Sequence, residues 1–431
     1  MLIRNCIILP INGKDAIINA GLIATRNDKI IYAGREAKAP KIEAELVIDG
    51  RSKLATPGLV NCHTHLPMTL FRGIAEDQPL ATWLTQTVWP LEAKLTPDDI
   101  YSGALLGCLE SIKNGTTTFA DMYFHEERIA EAVKKAGVRA VLAPGIIEAD
   151  DREKGERMLR EGVEFAEKHN GCADGRVTAQ LAPHATYTCS PHLLSQTQKE
   201  ALKLGIGTHI HVAESKQMMK LVKKRYGFTE IELLENIGFL QSNTLAAHCV
   251  HLTEKDMRIM ARHNVKISYN PTANMKIASG IPSIKSLLGL GLTVGIGTDG
   301  PASNNNLDMF EEMRFAALLQ KIKHLDPTVL STQKVLEMAT IEGAKALGLE
   351  ETVGSLEVGK KADIILIDFR KPHLTPLHDP YANIVYSANG SDVDTVIVDG
   401  KILMQGRNME TLDEEEVMQK AQRTALDLLA R

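Results

Sequence analysis

His63 and His65 stand two residues apart in Gly58-Leu-Val-Asn-Cys-His-Thr-His65, an apolar run that reads as a β-strand. Alternation along a strand puts both imidazoles on one face, where they can share one metal ion. Farther along, His209-Ile-His211-Val-Ala-Glu214 offers a second same-face pair with a carboxylate behind it, and Asp299 ends another apolar run. Three imidazole nitrogens and one carboxylate oxygen suit Zn2+ or Fe2+ with a coordination position left for water. Spacing alone does not choose between His209 and His211. Glu214 does: it follows His211 near the strand mouth, within reach of a water at the metal, which leaves His209 one layer below. The ligand set read this way is His63, His65, His211 and Asp299. Taken alone, a His-x-His pair reads as well as two solvated histidines. The company of other strand-end groups is what favours a metal.

The elements that must position these groups follow from the hydrophobic pattern. Eight short apolar runs, 58–65, 116–123, 139–145, 177–185, 207–214, 244–251, 266–272 and 292–298, alternate with segments of helical periodicity such as 100–113, 129–135, 157–168 and 255–262. Eight strand–helix units over about 250 residues match an α/β fold of the (β/α)8 type, with a doubly wound open sheet as the rival. Five runs deliver an ionisable group at the same end: His63 and His65, His184, His211 and Glu214, His248, and Asp299. Barrel active sites lie at that C-terminal end. The two chain ends read differently, as short β-branched runs (16–20, 29–33, 362–368, 395–398) broken by turn residues such as Asp399-Gly400. The expected organisation is a barrel over 57–350 and a small β-sandwich built jointly from 1–56 and 351–431.

Gly295-Ile-Gly297-Thr-Asp-Gly300 matches the spacing of a dinucleotide fingerprint, but an Asp stands inside it and Pro301 with an Asn-rich stretch follows before any helix. These glycines are expected instead to let backbone pass close to a bound ligand. Both tryptophans, Trp83 and Trp89, fall after the first run. They read equally as an apolar wall for a substrate and as ordinary helix packing, and Glu92 reads equally as an anchor for a sugar hydroxyl and as a turn cap.

Composition excludes several classes. Lys+Arg 49 against Asp+Glu 54, with no basic stripe, argues against a nucleic-acid polymer as partner. No stretch nears about 18 uninterrupted apolar residues, so no membrane span is expected. Six scattered cysteines without a CxxC pair point to reduced thiols and a cytoplasmic protein. The N-terminal apolar run is too short for a signal segment, so Asn114-Gly-Thr and Asn389-Gly-Ser read as turns.

Pro57-Gly58-Leu-Val-Asn-Cys-His63-Thr-His65 resembles the first-strand motif of the amidohydrolase superfamily, and Gly354-Ser-Leu-Glu-Val-Gly359-Lys-Lys-Ala-Asp363 resembles its return into a small β domain. More narrowly, Met68–Gly73, Trp89–Glu92, Asn114–Thr118, Ala246–His251 and Gly297–Asn306 resemble 5′-methylthioadenosine/S-adenosylhomocysteine deaminases and archaeal 5′-deoxyadenosine deaminases. The resemblance implies His63, His65, His211 and Asp299 as metal ligands. It also implies substrate contacts from Glu92, His184, Glu214 and Asp299, and catalytic roles for Glu214, His248 and Asp299. No lysine lies in 177–185, where binuclear members carry a bridging lysine, so one divalent metal per subunit is expected, Zn2+ before Fe2+. The implied reaction is hydrolysis at C6 of a 5′-modified adenosine by a homo-oligomer. Asp299 takes the water's proton, His248 holds the attacking oxygen, and Glu214 carries protons to N1 and the leaving amine. Bacterial members that accept S-adenosylhomocysteine place an arginine near the end of strand three. Pro144 stands there here, and Arg152 or Arg157 is the candidate for a second arginine position. The alternatives are a relative acting on a guanine- or triazine-type amino-heterocycle, or a non-catalytic scaffold.

Overall fold

The computed structural model describes residues 1–14, 17–74 and 76–431. Runs in which every residue is buried, such as Thr116–Tyr123, become strands covered on both faces. Five strands precede the barrel: β1 (Leu2–Ile8), β2 (Ile18–Arg26), β3 (Lys29–Arg35), β4 (Val47–Asp49) and β5 (Lys53–Pro57). The barrel strands are β6 (Leu59–Thr64), β7 (Thr116–Tyr123), β8 (Arg139–Ile146), β9 (Val177–Pro183), β10 (Gly207–Val212), β11 (Thr244–His248), β12 (Lys266–Tyr269) and β13 (Val294–Ile296). Then come β14 (Ile364–Asp368), β15 (Val393–Val398), β16 (Lys401–Gln405) and β17 (Asn408–Met409).

Strands β6 to β13 pair in parallel in chain order, with helices between them, as the alternating pattern led us to expect. Side chains close the seam between the first and last strands. Asn61 donates to Thr298 Oγ1 (2.7 Å) and accepts from Thr298 N (3.0 Å), while Asp299 N donates to His63 O (2.9 Å). Gly295 and Gly297 lie against β6 at this seam, and Gly300 lies against the cavity residues His65 and Met68. A Cβ on Gly295 would sit 2.3 Å from Cys62 Sγ, and one on Gly297 would sit 2.8 Å from the His63 backbone nitrogen.

Several strands stop before their apolar runs do. The chain enters left-handed backbone at Ala213 (φ 50°), His248 (71°), Cys249 (52°) and Asp299 (62°), which ends the ladder and turns those side chains over the barrel mouth. Caps set the helix starts. Thr96 and Asp99 form a reciprocal capping box on Pro97–Lys113, and Thr253 with Asp256 does the same for Glu254–Arg262.

The chain ends make one sheet, ordered β17-β16-β15-β14-β5-β1-β2-β3 with β4 beside β1, around a core that includes Ile3, Ile8, Ile23, Ile364 and Ile397. The expected strand at 16–20 is observed as Ile18–Arg26, and Ala16 lies outside the described residues. The Asp399-Gly400 turn has φ values of 49° and 72°, and a Cβ on Gly400 would meet Asn27 O at 2.0 Å. That same turn receives the barrel. Arg139, at the start of β8 and buried, binds Asp363 Oδ2 at 3.0 Å and Asp399 Oδ1 at 2.5 Å. The last helix, Glu414–Ala430, lies on the barrel helix Pro97–Lys113, tied at one end by Lys113–Glu414 (2.8 Å) and at the other by Arg431–Asp99 (2.7 Å). Among the described residues no helix is long and apolar enough to cross a membrane, and all the cysteines are free thiols.

Candidate metal centre

At the C-terminal mouth of the barrel, β6 presents His63 and its exit presents His65, β10 presents His211, and the turn after β13 presents Asp299. His63 Nε2 and His65 Nε2 lie 3.4 and 3.3 Å from Asp299 Oδ1, and His211 Nε2 lies 3.3 Å from His65 Nε2. Donors about 2.1 Å from a tetrahedral cation are separated by roughly 3.4 Å, so this spacing fits one such ion.

The far side of each ring assigns its tautomer. His65 Nδ1 donates to Met122 O (2.6 Å), His211 Nδ1 to His184 O (2.8 Å) and His248 Nδ1 to Asn274 Oδ1 (2.9 Å). The lone pairs therefore sit on Nε2 and point inward, two of them 3.3 Å apart with no proton between. Only a cation makes that arrangement favourable. His63 Nε2 is also buried without a hydrogen-bond partner. The donor set fits a divalent metal.

Burial holds the rings neutral, the form that ligates. It pushes His63 down to about 4 and His184 to about 3, and lowers His65, His209 and His211 as well. Burial alone would raise Asp299, but positive charge at this centre, on the imidazoles of His63, His248 and His65 or on a cation in their place, outweighs it and holds the carboxyl well below its usual range. Glu214 moves the other way. Burial first, then the charge of Asp299, raises it against the opposing pull of His248. Its Oε1 lies 3.9 Å from His248 Nε2. A carboxyl so placed holds a proton more readily than a free glutamate, as a proton-carrying group requires.

These groups floor a cavity of about 670 Å³, counted to its open mouth. Trp83, Leu84 and Trp89 line one wall, and Glu92, His184 and Glu214 contribute polar groups. Residues 80–92 are helical throughout, with a wide π turn at Trp83–Val88, so both tryptophans are helix residues that also line the cavity. Burial pushes the Glu92 carboxyl up to about 7. Beyond Tyr123 and Phe124 a second, open groove continues past Pro144 to Lys154 and Arg157. Arg152 does not line it and instead pairs with Glu156 at 2.8 Å.

Every residue expected at the site comes to this mouth: the four proposed ligands, Glu92, His184, Glu214 and His248. His248 belongs to an overlapping trio with His63 and His211, all donor nitrogens within 4.8 Å, so it faces the same centre. His209 sits below, with Nε2 2.9 Å from His63 Nδ1. Sequence reasoning missed Tyr187 and Ser303 in the cavity wall and Asn274 behind His248. Asn270, 3.4 Å from His248, stands in the seventh apolar run and was findable there by the strand-end criterion. Asn274 lies in a helix and carries no such mark.

A cluster of inward-facing imidazoles and one carboxylate at the C-terminal mouth of a (β/α)8 barrel defines a barrel built to hold a divalent metal. The chain belongs to the amidohydrolase family, whose model matches residues 54–403. It is 50% identical over 430 residues, covering 100% of this chain and 99% of the relative, to a 5-methylthioadenosine/S-adenosylhomocysteine deaminase of Desulforudis audaxviator. It is 47% identical over 431 residues, with the same coverage, to a 5′-deoxyadenosine deaminase of Methanosarcina acetivorans. Among solved structures it resembles a zinc-bound adenosine deaminase from Xanthomonas campestris, with TM-score 0.96, 31% identity, and coverage of 100% of this chain and 98% of that one.

Proposed function

We propose that this chain hydrolyses the C6 amino group of 5′-modified adenosines, yielding the inosine derivative and ammonia. The observation that carries the reading is the convergence of His63, His65, His211 and Asp299 on one point with the raised Glu214 carboxyl beside it. The full-length relatives named as deaminases of such nucleosides support it. His63, His65, His211 and Asp299 would hold a divalent metal, zinc before Fe2+, which when bound would lower the pKa of a water to roughly 7. Asp299, ionised, accepts the proton of that water. His248 Nε2 holds the attacking oxygen in line with C6. Glu214 gives its proton to N1, takes up the proton of the hydroxyl now on C6 as the carbonyl forms, and passes it to the amine as the C6–N bond breaks and ammonia leaves; Asp299 then returns the water's proton to Glu214. Glu92 is the candidate to hold the ribose hydroxyls, and His184, lining the same cavity, to contact the nucleoside.

The groove past Pro144 would carry the 5′ substituent, with Arg157 and not Arg152 at its far end. The same reading takes 57–350 as the catalytic barrel and 1–56 with 351–431 as the accessory unit, in a cytoplasmic homo-oligomer. An ammonia-release screen tests the assignment. It compares adenosine, 5′-deoxyadenosine, methylthioadenosine, S-adenosylhomocysteine, guanine and an aminotriazine by kcat/KM. The 5′-modified adenosines should rank first, and release only from the free heterocycles would refute it.

A further inference from the structure

Glu230 opens the helix Glu230–Asn236 and is buried at 2% exposure, yet the chemistry above does not use it. Its Oε2 accepts a hydrogen bond from Thr186 Oγ1 at 2.8 Å, and the backbone N–H of Ala213 also faces the carboxylate. Thr186 lies two residues beyond His184, and Ala213 immediately precedes Glu214. One buried side chain thus touches both loops that carry the polar groups of the cavity.

The need for such an anchor is visible at Ala213. Its φ of 50° is a left-handed conformation that a residue with a Cβ keeps only where its surroundings impose it. His251 N–H donates to Ala213 O at 3.0 Å, and the Ala213 N–H faces the Glu230 carboxylate on the other side. Glu214 itself is weakly tethered. Its carboxylate meets His248 Nε2 only at 3.9 Å, beyond hydrogen-bonding distance, so the backbone at Ala213 decides where it points. On the other loop, His184 O is taken by His211, and Thr186 ties the next turn to Glu230.

We infer that Glu230 is a positioning residue that sets Glu214 and His184 against each other through Ala213 and Thr186. This rests on the roles proposed above for those two groups. An ordinary buried acid would stabilise the fold without bearing on turnover, and a carboxylate joined to only one loop could not couple the two.

The test uses the metal-loaded full-length protein with Thr186→Val, Thr186→Ser, Glu230→Leu, which removes the acceptor, and the Thr186→Val/Glu230→Leu double variant. Thr186→Val and Glu230→Leu should each lower kcat roughly 10- to 100-fold, as misplacement of reacting groups does. KM and metal content should change little. Thr186→Ser, which keeps the hydroxyl, should recover most of the loss, and the double variant should be no worse than the poorer single, since both break one connection. Amide hydrogen exchange read by mass spectrometry should rise in peptides covering 184–188 and 212–216. Folded Glu230→Leu with unchanged exchange and unchanged kcat would overturn the inference, as would multiplying losses in the double variant. Increased exchange in a protein that releases ammonia from no adenine nucleoside would leave the anchor standing and defeat the functional reading instead.

Discussion

His63 Nδ1 meets His209 Nε2 at 2.9 Å, the two rings inclined at 72° and both sealed from solvent. The contact turns His63 so that Nε2 faces Asp299, and it leaves His209 Nδ1 as a buried atom without a partner. A histidine that looks inert one layer below the mouth is therefore what holds a proposed metal ligand in orientation.

Replacing His209 by Leu removes that acceptor while keeping an apolar side chain in the barrel. Loss of such a supporting partner typically costs about 10- to 100-fold in metal affinity. Competition against a chelator of known affinity should show that loss, with His209→Gln, which keeps an acceptor oxygen, falling between. An unchanged affinity in His209→Leu would show that packing alone orients His63.

Glu214→Gln keeps shape and removes the ability to carry a proton. Because Glu214 is not among the proposed ligands, metal content should stay at the wild-type level while kcat falls about 10²- to 10⁴-fold, the usual worth of a positioned acid–base group. Elemental analysis beside steady-state ammonia release checks both halves. Near-normal turnover would remove Glu214 from the mechanism.

Glu312 offers a test of stability against pH. It is wholly buried, accepting from Asn304 Nδ2 at 2.6 Å and Thr272 N at 3.1 Å, and burial pushes its carboxyl from 4.5 up to about 8. A folded-state value above the unfolded one means that the fold holds this proton more tightly than the unfolded chain does. The contribution is complete below about 4.5 and is lost as pH rises through about 8. Glu312→Gln cannot ionise, so relative to wild type it should gain up to a few kcal/mol between about pH 5 and about pH 8.5. Urea unfolding at both pH values measures that difference, and a gap independent of pH would contradict it.

The seam between β6 and β13 shows where reading along the chain falls short. The expectation that Asp299 faces the barrel centre came from its place at the end of an apolar run, and that placement holds. The glycines around it were assigned to a ligand because a sequence does not say which backbone passes close by. In the folded chain the Cys62 side chain of β6 packs against Gly295 and the His63 backbone against Gly297. The same limit applies to Arg139, whose partners Asp363 and Asp399 lie more than two hundred residues away.

Arg157 marks the boundary between the two kinds of knowledge. The helical segment read from sequence, 157–168, leaves Arg152 outside; the observed helix Arg152–His169 carries both, and its packing against β8 and β9 puts Arg157 at the groove and leaves Arg152 paired with Glu156.

The chain's own pattern was enough to determine the barrel, because alternating apolar runs and helical segments are local properties, and enough to place the ionisable groups at one end of the strands. It also determined that terminal strands lie outside the barrel. Tertiary structure alone decided the tautomers of the histidines, the support of His63 by His209, and the bridge that Glu230 makes between two loops. Those depend on register and on left-handed turns at Ala213, His248 and Asp299, where distant segments impose on the backbone a conformation it would not adopt by itself.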